Sequence, residues 1–436
     1  MTRIGILCPA ALGHLNPMGN LGNELQHRGH EVTLFGIPDI KEKIARAQLG
    51  FHEIGAQSYP YGSLKSIYEQ HGQSIGLAGL KFSIKAFRKG AEMLFKEAPD
   101  AIVEAGIELL LIDQLTAAGG TIADYLNLPF ITVCNALPIN REPGLPPNYT
   151  QWGYQDIWWA KLRNQAGYRF LDYLTLSIQK LIRKQRQQWQ LPAYRHWNDS
   201  GSTLAQLCQV PAVLDFPRKT LPPWFHYVGP LRSPSGIEPA NAKAQNLALK
   251  DLEDKPLIYA SLGTVQSQNW QIFRVIAEAC LGMDRQLVID LGNPDADPAQ
   301  ADFPGAVVLS FAPHKHLIGR ASLVITHGGS TVIDCFQAGV PVVVIPITND
   351  QPGMAARVAS TGAGNVVPLH RLDAPTLRTA IEAIASHAHY RDSAANLASA
   401  IHAAGGVRYA ADIVEQVDAT GAAVLASADI CPKIQV

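Results

Sequence analysis

Short apolar runs alternate with longer amphipathic segments from the first residues of the chain. "RIGILCP" and "EVTLFG" have the length and composition of buried strands. Between them, Met18, Leu21 and Leu25 recur at helical spacing, Pro17 suits a first helical turn, and Gly29 suits a C-terminal stop. The pattern predicts a β-α-β unit and hence a parallel sheet.

Further runs extend this pattern and then repeat it. "ELLLID" and "PFITVCN" predict two more strands with a helix over residues 115–126 between them, and residues 149–190 predict a long, aromatic and basic helix. "VPAVLDF" and "FHYVGPL" are interpreted as segments that return to the first sheet as further strands. After a polar stretch, "LIYASLG", "QLVIDLG", "AVVLSFA", "SLVITHGG" and "VPVVVIPI" predict a second parallel sheet. The predicted units are a first α/β domain over 1–231, a linker over 232–255, a second α/β domain over 256–405, a helix over 406–418 and a tail over 419–436 with no assigned role.

The composition is consistent with two hydrophobic domain cores and argues against nucleic acid as a partner. The chain has 436 residues, of which 47% are hydrophobic, so two domains are the expectation. A formal net charge of -1 argues against nucleic acid as a partner. The six cysteines form no CxxC pair and no zinc spacing, and no apolar run approaches the length that spans a membrane. The N-terminal run continues into the β-α-β unit and lacks a signal-peptide cleavage site. A cytoplasmic protein is expected.

Polar residues follow the predicted strands at their carboxyl ends, where ligands bind in open α/β sheets. "HGGST" at residues 327–331 lies between a strand and a helix, so backbone N–H groups, glycines and the hydroxyls of Ser330 and Thr331 suit a phosphate. "SLGT", ending at Thr264, follows another strand. Asp334 suits ribose hydroxyls, and Asp-Gln at residues 350–351 suits a sugar. Together these features predict a nucleoside diphosphate sugar as ligand.

Each feature taken alone has a structural interpretation. Gly-rich turns in α/β proteins often bind nothing, Asp-Gln is commonly a solvated loop, and a histidine at a strand end is commonly a capping group. Only the ordered set, with each member after its own strand, favours a site. The segment "DAD" at residues 295–297 resembles a metal-binding DxD, but flanking prolines indicate a solvated loop, and no metal site is expected.

The segment 311–351 resembles the donor-binding signature of glycosyltransferase family 1, the UDP-sugar-dependent enzymes of GT-B fold. His327 follows Pro313 by fourteen residues, Asp334 precedes "GVP" by five, and Asp-Gln ends the segment. "GHLNP" near the start and "SLGT" also match, so the resemblance covers most of the chain. Within the family, "ITNDQPGMAARVA" is most similar to bacterial zeaxanthin glucosyltransferases. The resemblance implies two Rossmann-like parallel α/β domains facing each other across a cleft, with the helix at 406–418 crossing back to the first domain.

The resemblance also implies how the donor is bound. Phe311 would stack on uracil, Ala312 would offer backbone groups to the base edge, and His314 stands where the family has a glutamine near the ribose. Asp334 would hold the ribose hydroxyls. The loop after Gly329 is one residue shorter than is usual. The full set of predicted donor residues is Thr264, Phe311, Ala312, His314, His327, Gly329, Ser330, Thr331, Asp334, Asp350 and Gln351. UDP-glucose or a similar UDP-sugar is the implied co-substrate, without a cofactor or metal.

A base is needed because an acceptor hydroxyl is a poor nucleophile near neutral pH. His14 suits this role by type, and Asp113, which ends a strand of the same domain, suits the carboxylate that would orient it. The family uses a His-Asp pair at these positions. Without the family pattern, His14 would be interpreted as a loop histidine that caps the first helix. The implied reaction is an inverting, metal-independent hexosyl transfer that gives a β-glycoside.

The acceptor leaves a weaker signal. Aromatic residues of the first domain suit a lipophilic hydroxylated small molecule of carotenoid, phenol or polyketide type, but core packing explains them equally. The candidates are Phe82, Phe87, Trp152, Tyr154 and Trp158. Residues 161–186 are basic with interspersed apolar positions, which suits either a solvated helix or peripheral contact with an anionic membrane. Two other functions remain open: a sugar-nucleotide-binding protein with weak catalysis, and a lipid-precursor glycosyltransferase or UDP-sugar epimerase on this scaffold.

Overall fold

The computed structural model describes residues 1–232 and 255–426. Of the predicted linker, residues 233–254 lie outside the described residues. The same holds for residues 427–436 of the predicted tail.

In the described part of the first half, seven parallel strands form one sheet in the order β3-β2-β1-β4-β5-β6-β7. The strands are β1 (Arg3–Leu7), β2 (Glu31–Gly36), β3 (Gly50–Glu53), β4 (Leu109–Asp113), β5 (Phe130–Cys134), β6 (Gln206–Cys208) and β7 (Phe225–Tyr227). The helices are α1 (Leu12–His27), α2 (Lys41–Arg46), α3 (Ser63–Gly72), α4 (Gly76–Glu104), α5 (Gly119–Leu126) and α6 (Trp158–Gln188). β4 is buried along its whole length, as expected for a parallel strand covered on both faces.

In the described part of the second half, six parallel strands form another sheet in the order β10-β9-β8-β11-β12-β13. The strands are β8 (Leu257–Ser261), β9 (Gln286–Asp290), β10 (Ala306–Leu309), β11 (Ala321–Thr326), β12 (Val342–Val344) and β13 (Gly364–Val366). The helices are α7 (Trp270–Cys280), α8 (His314–Arg320), α9 (Thr331–Gln337), α10 (Gln351–Thr361), α11 (Ala374–Ser386), α12 (Ala388–Ala403) and α13 (Gly406–Thr420). Both sheets thus have the doubly wound arrangement that the apolar runs predict, and the α/β fold is confirmed.

Each sheet has a switch point where the strand order reverses. In the first sheet β1 lies between β2 and β4, and in the second β8 lies between β9 and β11. The loops after neighbouring strands diverge at such a point and leave a crevice at their carboxyl ends. The residues that follow β1, β4, β8 and β11 are therefore placed to form a ligand site.

Direct contacts join the two halves. Arg357 on α10 donates from Nε to Oδ1 of Asp215 at 2.8 Å, and both side chains are 1% exposed. The N–H of Gly353 donates to the carbonyl of Asn148 at 2.8 Å, and a Cβ at residue 353 would collide with that oxygen. This glycine is needed because the backbones approach so closely.

The last described helix packs on the first half of the chain. The apolar face of α13 contributes Val407, Ile413 and Val414 to the core that surrounds the first sheet. Arg28, directly after α1, donates from Nη1 to Asp412 at 2.6 Å. The chain therefore returns to its first sheet after it has completed the second.

Three local predictions were wrong. Pro17 lies inside α1, because the helix already begins at Leu12, and His14 is accordingly in its first turn, not in a loop. The segment "VPAVLDF" contains a short 3₁₀ helix, while the strand of this region is β6, directly before it. The long helix begins only at Trp158, so residues 149–157 are not helical.

Candidate active site

One cavity of about 2650 Å³ lies between the carboxyl ends of the two sheets. His14 lines it from the first half of the chain. Every predicted donor residue lines it from the second half, namely Thr264, Phe311, Ala312, His314, His327, Gly329, Ser330, Thr331, Asp334, Asp350 and Gln351. Residues predicted from separate strand ends are thus brought to a single space.

His14 and Asp113 form a hydrogen-bonded pair at the switch point of the first sheet. His14 follows β1, and Asp113 is the last residue of the adjacent β4. The Nδ1 of His14 lies 2.7 Å from Oδ2 of Asp113, whose side chain is fully buried, whereas that of His14 is 16% exposed. A carboxylate at Nδ1 favours the tautomer with its proton on that nitrogen, so Nε2 is left to accept a proton from a ligand.

Two further groups hold Asp113 in place. Asn135 donates from Nδ2 to Oδ2 of Asp113 at 2.7 Å, and the N–H of Leu115 donates to Oδ1 at 2.8 Å. Asn135 was not predicted. Its signal in the sequence is a polar residue directly after the apolar run of β5, next to β4 in the sheet.

The charges of the two halves act on each other across the cavity. Burial lowers the pKa of His14, but the charge and hydrogen bond of Asp113 and the charge of Asp350 outweigh it, so the pKa lies above its ordinary value. Burial raises the pKa of Asp350, although the N–H of Leu137 donates to its Oδ2 at 3.3 Å. The imidazole of the first half and the Asp-Gln loop of the second half are therefore electrostatic neighbours.

Glycines make room for the imidazole of His327 beside the loop over residues 328–331. Gly263 and Gly328 have φ angles of +68° and +93°, which favour glycine. A Cβ at Gly263 would lie 2.8 Å from the ring of His327, and a Cβ at Gly329 would lie 2.6 Å from it. The loop continues into α9, a helix of only seven residues, with Ser330 just before it.

His327 is uncharged at neutral pH. Burial, with a smaller effect from the charge of His314, lowers the pKa of His327 to about 4. Its Nδ1 is buried and has no hydrogen-bond partner among residues 1–232 and 255–426. A neutral ring can donate one hydrogen bond to an anion without bringing a positive charge.

Asp334 is already paired. Arg232 donates from Nε to Oδ1 of Asp334 at 2.7 Å and from Nη1 to Oε1 of Gln209 at 3.0 Å. Nε2 of His314 lies 3.7 Å from the other carboxylate oxygen. Although burial raises the pKa of Asp334, Arg232 and His314 hold it well below its usual range. Arg232 was not predicted, since no sequence pattern links positions 102 residues apart.

A buried network fixes the start of α8. Nδ1 of His314 lies 2.9 Å from the hydroxyl of Tyr259, which donates to Asp290 at 2.8 Å. Asp290 also accepts from the N–H of Ala312 at 3.1 Å, and the carbonyl of Ala312 accepts from the N–H of His314 at 2.8 Å. The N–H of Ala312 is therefore committed, and only the second lone pair of its carbonyl remains for a base edge. Phe311 precedes it on the cavity wall.

The amide of Gln351 is oriented by backbone groups. Its Oε1 accepts from the N–H groups of Ile347 and Thr348 at 2.8 and 2.9 Å. Its NH₂ group is thereby left as the donor for a ligand beside the carboxylate of Asp350.

Two of the predicted acceptor residues line the cavity. Phe82 and Phe87 on α4 contribute to a wall that is largely apolar. Other members of this wall, which the sequence did not single out, are Ile37, Ile40, Leu64, Ile67, Leu80, Leu94, Leu171, Ile178 and Ile182. α4 and α6 pack against each other, and both contribute to this wall; the part of the cavity that they line is here called the apolar compartment between α4 and α6.

The other three predicted acceptor residues lie outside the cavity lining. The guanidinium carbon of Arg163 lies over the ring of Trp152, 4.6 Å from the ring centroid. Tyr154 stacks on Phe216 with centroids 6.0 Å apart, and Trp158 is 73% exposed. We therefore leave these three residues out of the proposed acceptor site.

The described residues contain no group of three or more metal-ligand side chains. In the segment "DAD", Asp295 lies 3.6 Å from Lys65, and Asp297 accepts from the N–H of Ala299.

Comparison with known proteins identifies the family and the fold. Residues 85–408 match the family model described as UDP-glucoronosyl and UDP-glucosyl transferase. Two proteins named zeaxanthin glucosyltransferase are similar to this chain. The one from Pantoea ananas is 32% identical, with 98% of each chain covered. The one from Pseudescherichia vulneris is 31% identical, with 95% of this chain and 98% of the relative covered. The crystal structure of the glycotransferase of kitacinnamycin has the same fold, with a TM-score of 0.72 and 20% identity over 95% of this chain and 98% of that one. The chain belongs to the UDP-glucoronosyl and UDP-glucosyl transferase family and is a UDP-glycosyltransferase.

Proposed function

We propose that the protein transfers a hexose, with glucose from UDP-glucose as the first candidate, to a hydroxyl of a lipophilic small molecule and inverts the anomeric carbon. The observation that carries the proposal is that His14, which is hydrogen-bonded to the buried Asp113 behind it, lines the same cavity as the polar donor residues and an apolar wall. The names of the zeaxanthin glucosyltransferase relatives favour a hydroxylated carotenoid or a similar polyene as acceptor.

His14 is the proposed base. Its Nε2 takes the proton of the acceptor hydroxyl as the oxygen attacks C1 of the sugar. The bond between C1 and the diphosphate oxygen breaks, and UDP leaves with the electron pair from the opposite face, so an α-linked donor gives a β-glycoside. Asp113 stabilises the imidazolium that forms, and Asn135 keeps Asp113 aimed at Nδ1.

The second half holds the donor in this proposal. Phe311 stacks on uracil, and Asp334 binds the ribose hydroxyls after it gives up part of its contact with Arg232. Thr264, the loop over residues 328–331 and the neutral ring of His327 donate to the diphosphate. Donors that are in place before reaction stabilise the charge that develops on the leaving group.

Asp350 and Gln351 bind the sugar hydroxyls as acceptor and donor. The apolar compartment between α4 and α6 holds the acceptor, with Phe82 and Phe87 in its wall. A long hydrophobic aglycone with a terminal hydroxyl would leave its chain in this compartment and bring the hydroxyl to His14.

The test is a product screen. The protein is incubated with UDP-glucose, UDP-galactose or TDP-glucose and a panel of hydroxylated carotenoids, phenols and polyketides. Products are read by mass spectrometry, and the anomeric configuration by NMR. We expect a β-linked monoglycoside that carries one added hexose, formed best with UDP-glucose and a polyene alcohol.

Three results would contradict the proposal. An α-linked product would exclude inversion. Conversion of the UDP-sugar into its epimer without transfer would make the protein an epimerase. Tight UDP-glucose binding without any glycoside across the panel would favour a binding protein.

A further inference from the structure

The outer side of α6 exposes an unusual group of large apolar side chains. Trp158 and Tyr173 are 73% and 74% exposed, and Leu162 is 55% exposed. Smaller exposed fractions are found for Trp159, Phe170 and Leu176. At 3.6 residues per turn, these six positions fall within an arc of about 120° on one side of the helix. Apolar side chains that are contiguous on a surface mark an interaction site more often than scattered ones do.

The same side of α6 becomes basic toward its C-terminal end. Arg169, Lys180, Arg183 and Lys184 are exposed, and none of them forms an ion pair with a residue in the described part of the chain. The single acidic residue of this stretch, Asp172, is bound by Arg141 at 2.7 Å. The side of α6 that carries these six apolar and four basic residues, here called the α6 outer face, is therefore positively charged.

The opposite side of α6 forms a wall of the active-site cavity. Tyr168, Leu171 and Ile178 line the apolar compartment from this helix. Arg169 and Arg183 are exposed and also line the cavity, so the basic part of the α6 outer face borders its rim. A partner on this face would lie next to the acceptor compartment.

A helix can lie in the plane of a lipid surface through its aromatic and aliphatic side chains, and Lys and Arg near that surface add attraction to anionic lipids. The rings enter the headgroup region, and Lys and Arg lie near the lipid phosphates. No helix of residues 1–232 or 255–426 combines the length and apolar character that a membrane crossing needs. Peripheral docking is thus the mode that the α6 outer face suits.

We propose that the α6 outer face docks the protein on the surface of an anionic bilayer, with the acceptor compartment held against the lipid. The charge complementarity of Arg169, Lys180, Arg183 and Lys184 selects anionic headgroups, and the exposed rings anchor the helix. A lipophilic acceptor can then pass from the bilayer into the compartment between α4 and α6. That last step rests on the proposed function, whereas the docking does not.

The docking is tested by cosedimentation of the full chain with vesicles. Vesicles of phosphatidylcholine alone are compared with vesicles in which a third of the lipid is phosphatidylglycerol, at low and high salt. We expect preferential binding to the anionic vesicles that weakens with salt. The double variant Lys180→Glu/Lys184→Glu should lower the partition coefficient by at least about twentyfold, at roughly fivefold for each lost charge. Trp158→Ser/Tyr173→Ser should lower it similarly by removing the rings.

Matched controls change the same chemistry elsewhere. Arg371→Glu/Arg391→Glu reverses two exposed charges on the second half, and Val103→Ser/Leu281→Ser removes two exposed apolar side chains. Both should bind vesicles within about twofold of the unmutated protein. Equal losses in controls and α6 variants, or no preference for anionic vesicles, would overturn the proposal.

Two measurements separate lipid docking from self-association and from damage to the active site. Light scattering that shows a dimer lost in the α6 variants, without vesicle binding, would make the face an interface between copies and overturn the proposal. Turnover of a water-soluble phenol without vesicles should be the same in the α6 variants and the unmutated protein. If no phenol or carotenoid is glycosylated while vesicle binding follows the pattern above, the proposed function fails and the docking stands.

Discussion

Replacement of Asp113 by Asn tests the proton path at almost constant shape. Asp113 accepts three hydrogen bonds, from His14, Asn135 and the N–H of Leu115, and its side chain is fully buried. An amide has only one oxygen for these partners. If that oxygen stays with Leu115, the NH₂ group faces both His14 and Asn135.

In that arrangement the new amide donates to Nδ1 of His14, which moves the ring proton to Nε2. The nitrogen nearest the acceptor hydroxyl then carries a proton and cannot take another. Loss of general-base catalysis lowers the rate by about 10²–10⁴-fold. The NH₂ group also meets the amide donor of Asn135, and an unpaired buried donor costs about 1–3 kcal/mol of stability.

The assay is initial-rate kinetics with saturating acceptor, together with calorimetric binding of UDP-glucose and thermal unfolding. For Asp113→Asn we expect kcat to fall by about 10²–10⁴-fold, with donor affinity near that of the unmutated protein. Asn135→Ala is the matched control, because it keeps the carboxylate and removes only one of its supports; its kcat should fall by about tenfold or less. A kcat for Asp113→Asn within about threefold of the unmutated value would refute the proton path.

The remaining predictions concern pH, the donor site and metal. Because the pKa of His14 is raised and the neutral ring is the base, kcat/KM should fall on acidification with a midpoint above about 6.5; a midpoint well below that value in a pH profile would contradict the assignment. Asp334→Asn should raise KM for UDP-glucose by about tenfold with little change in kcat, since it weakens a ribose contact made before and during reaction; an unchanged KM would place the ribose elsewhere. Arg232→Met should lower the unfolding temperature in the absence of donor, because it removes the guanidinium that pairs with the buried carboxylate of Asp334, and differential scanning calorimetry measures this. Excess EDTA should change the initial rate by less than about twofold, since the proposal assigns the diphosphate charge to protein donors; a loss restored by Mg²⁺ would refute that assignment.

Much of the fold can be predicted from the sequence because parallel strands covered on both faces are continuous apolar runs. "ELLLID" and "PFITVCN" became β4 and β5, and the runs of the second half became β8–β12. β6 has only three residues, so its apolar run is too short to predict. The longer apolar run "VPAVLDF" directly after it was therefore predicted to be the strand, whereas it contains a 3₁₀ helix.

The donor residues were predictable as a set because each follows its own strand, and parallel strands bring their carboxyl ends to one edge. Contacts between distant positions were not predictable. Arg232 meets Asp334, and Asn135 meets Asp113, only because the sheets place their strand ends side by side. Tyr154 shows the converse problem, since an aromatic residue that packs on Phe216 has the same composition signal as one that lines a pocket.

The central claim is that His14 from the first half deprotonates the acceptor hydroxyl while the second half holds the donor, so that the hydroxyl oxygen attacks C1 of the bound sugar. The most direct test measures UDP-glucose affinity and turnover together in His14→Ala, with His14→Gln as a variant that keeps more of the side-chain volume. The account predicts that kcat falls by about 10²–10⁴-fold in both variants while the Kd for UDP-glucose stays within about twofold. Turnover near that of the unmutated protein, or parallel loss of binding and turnover in both variants, would contradict it.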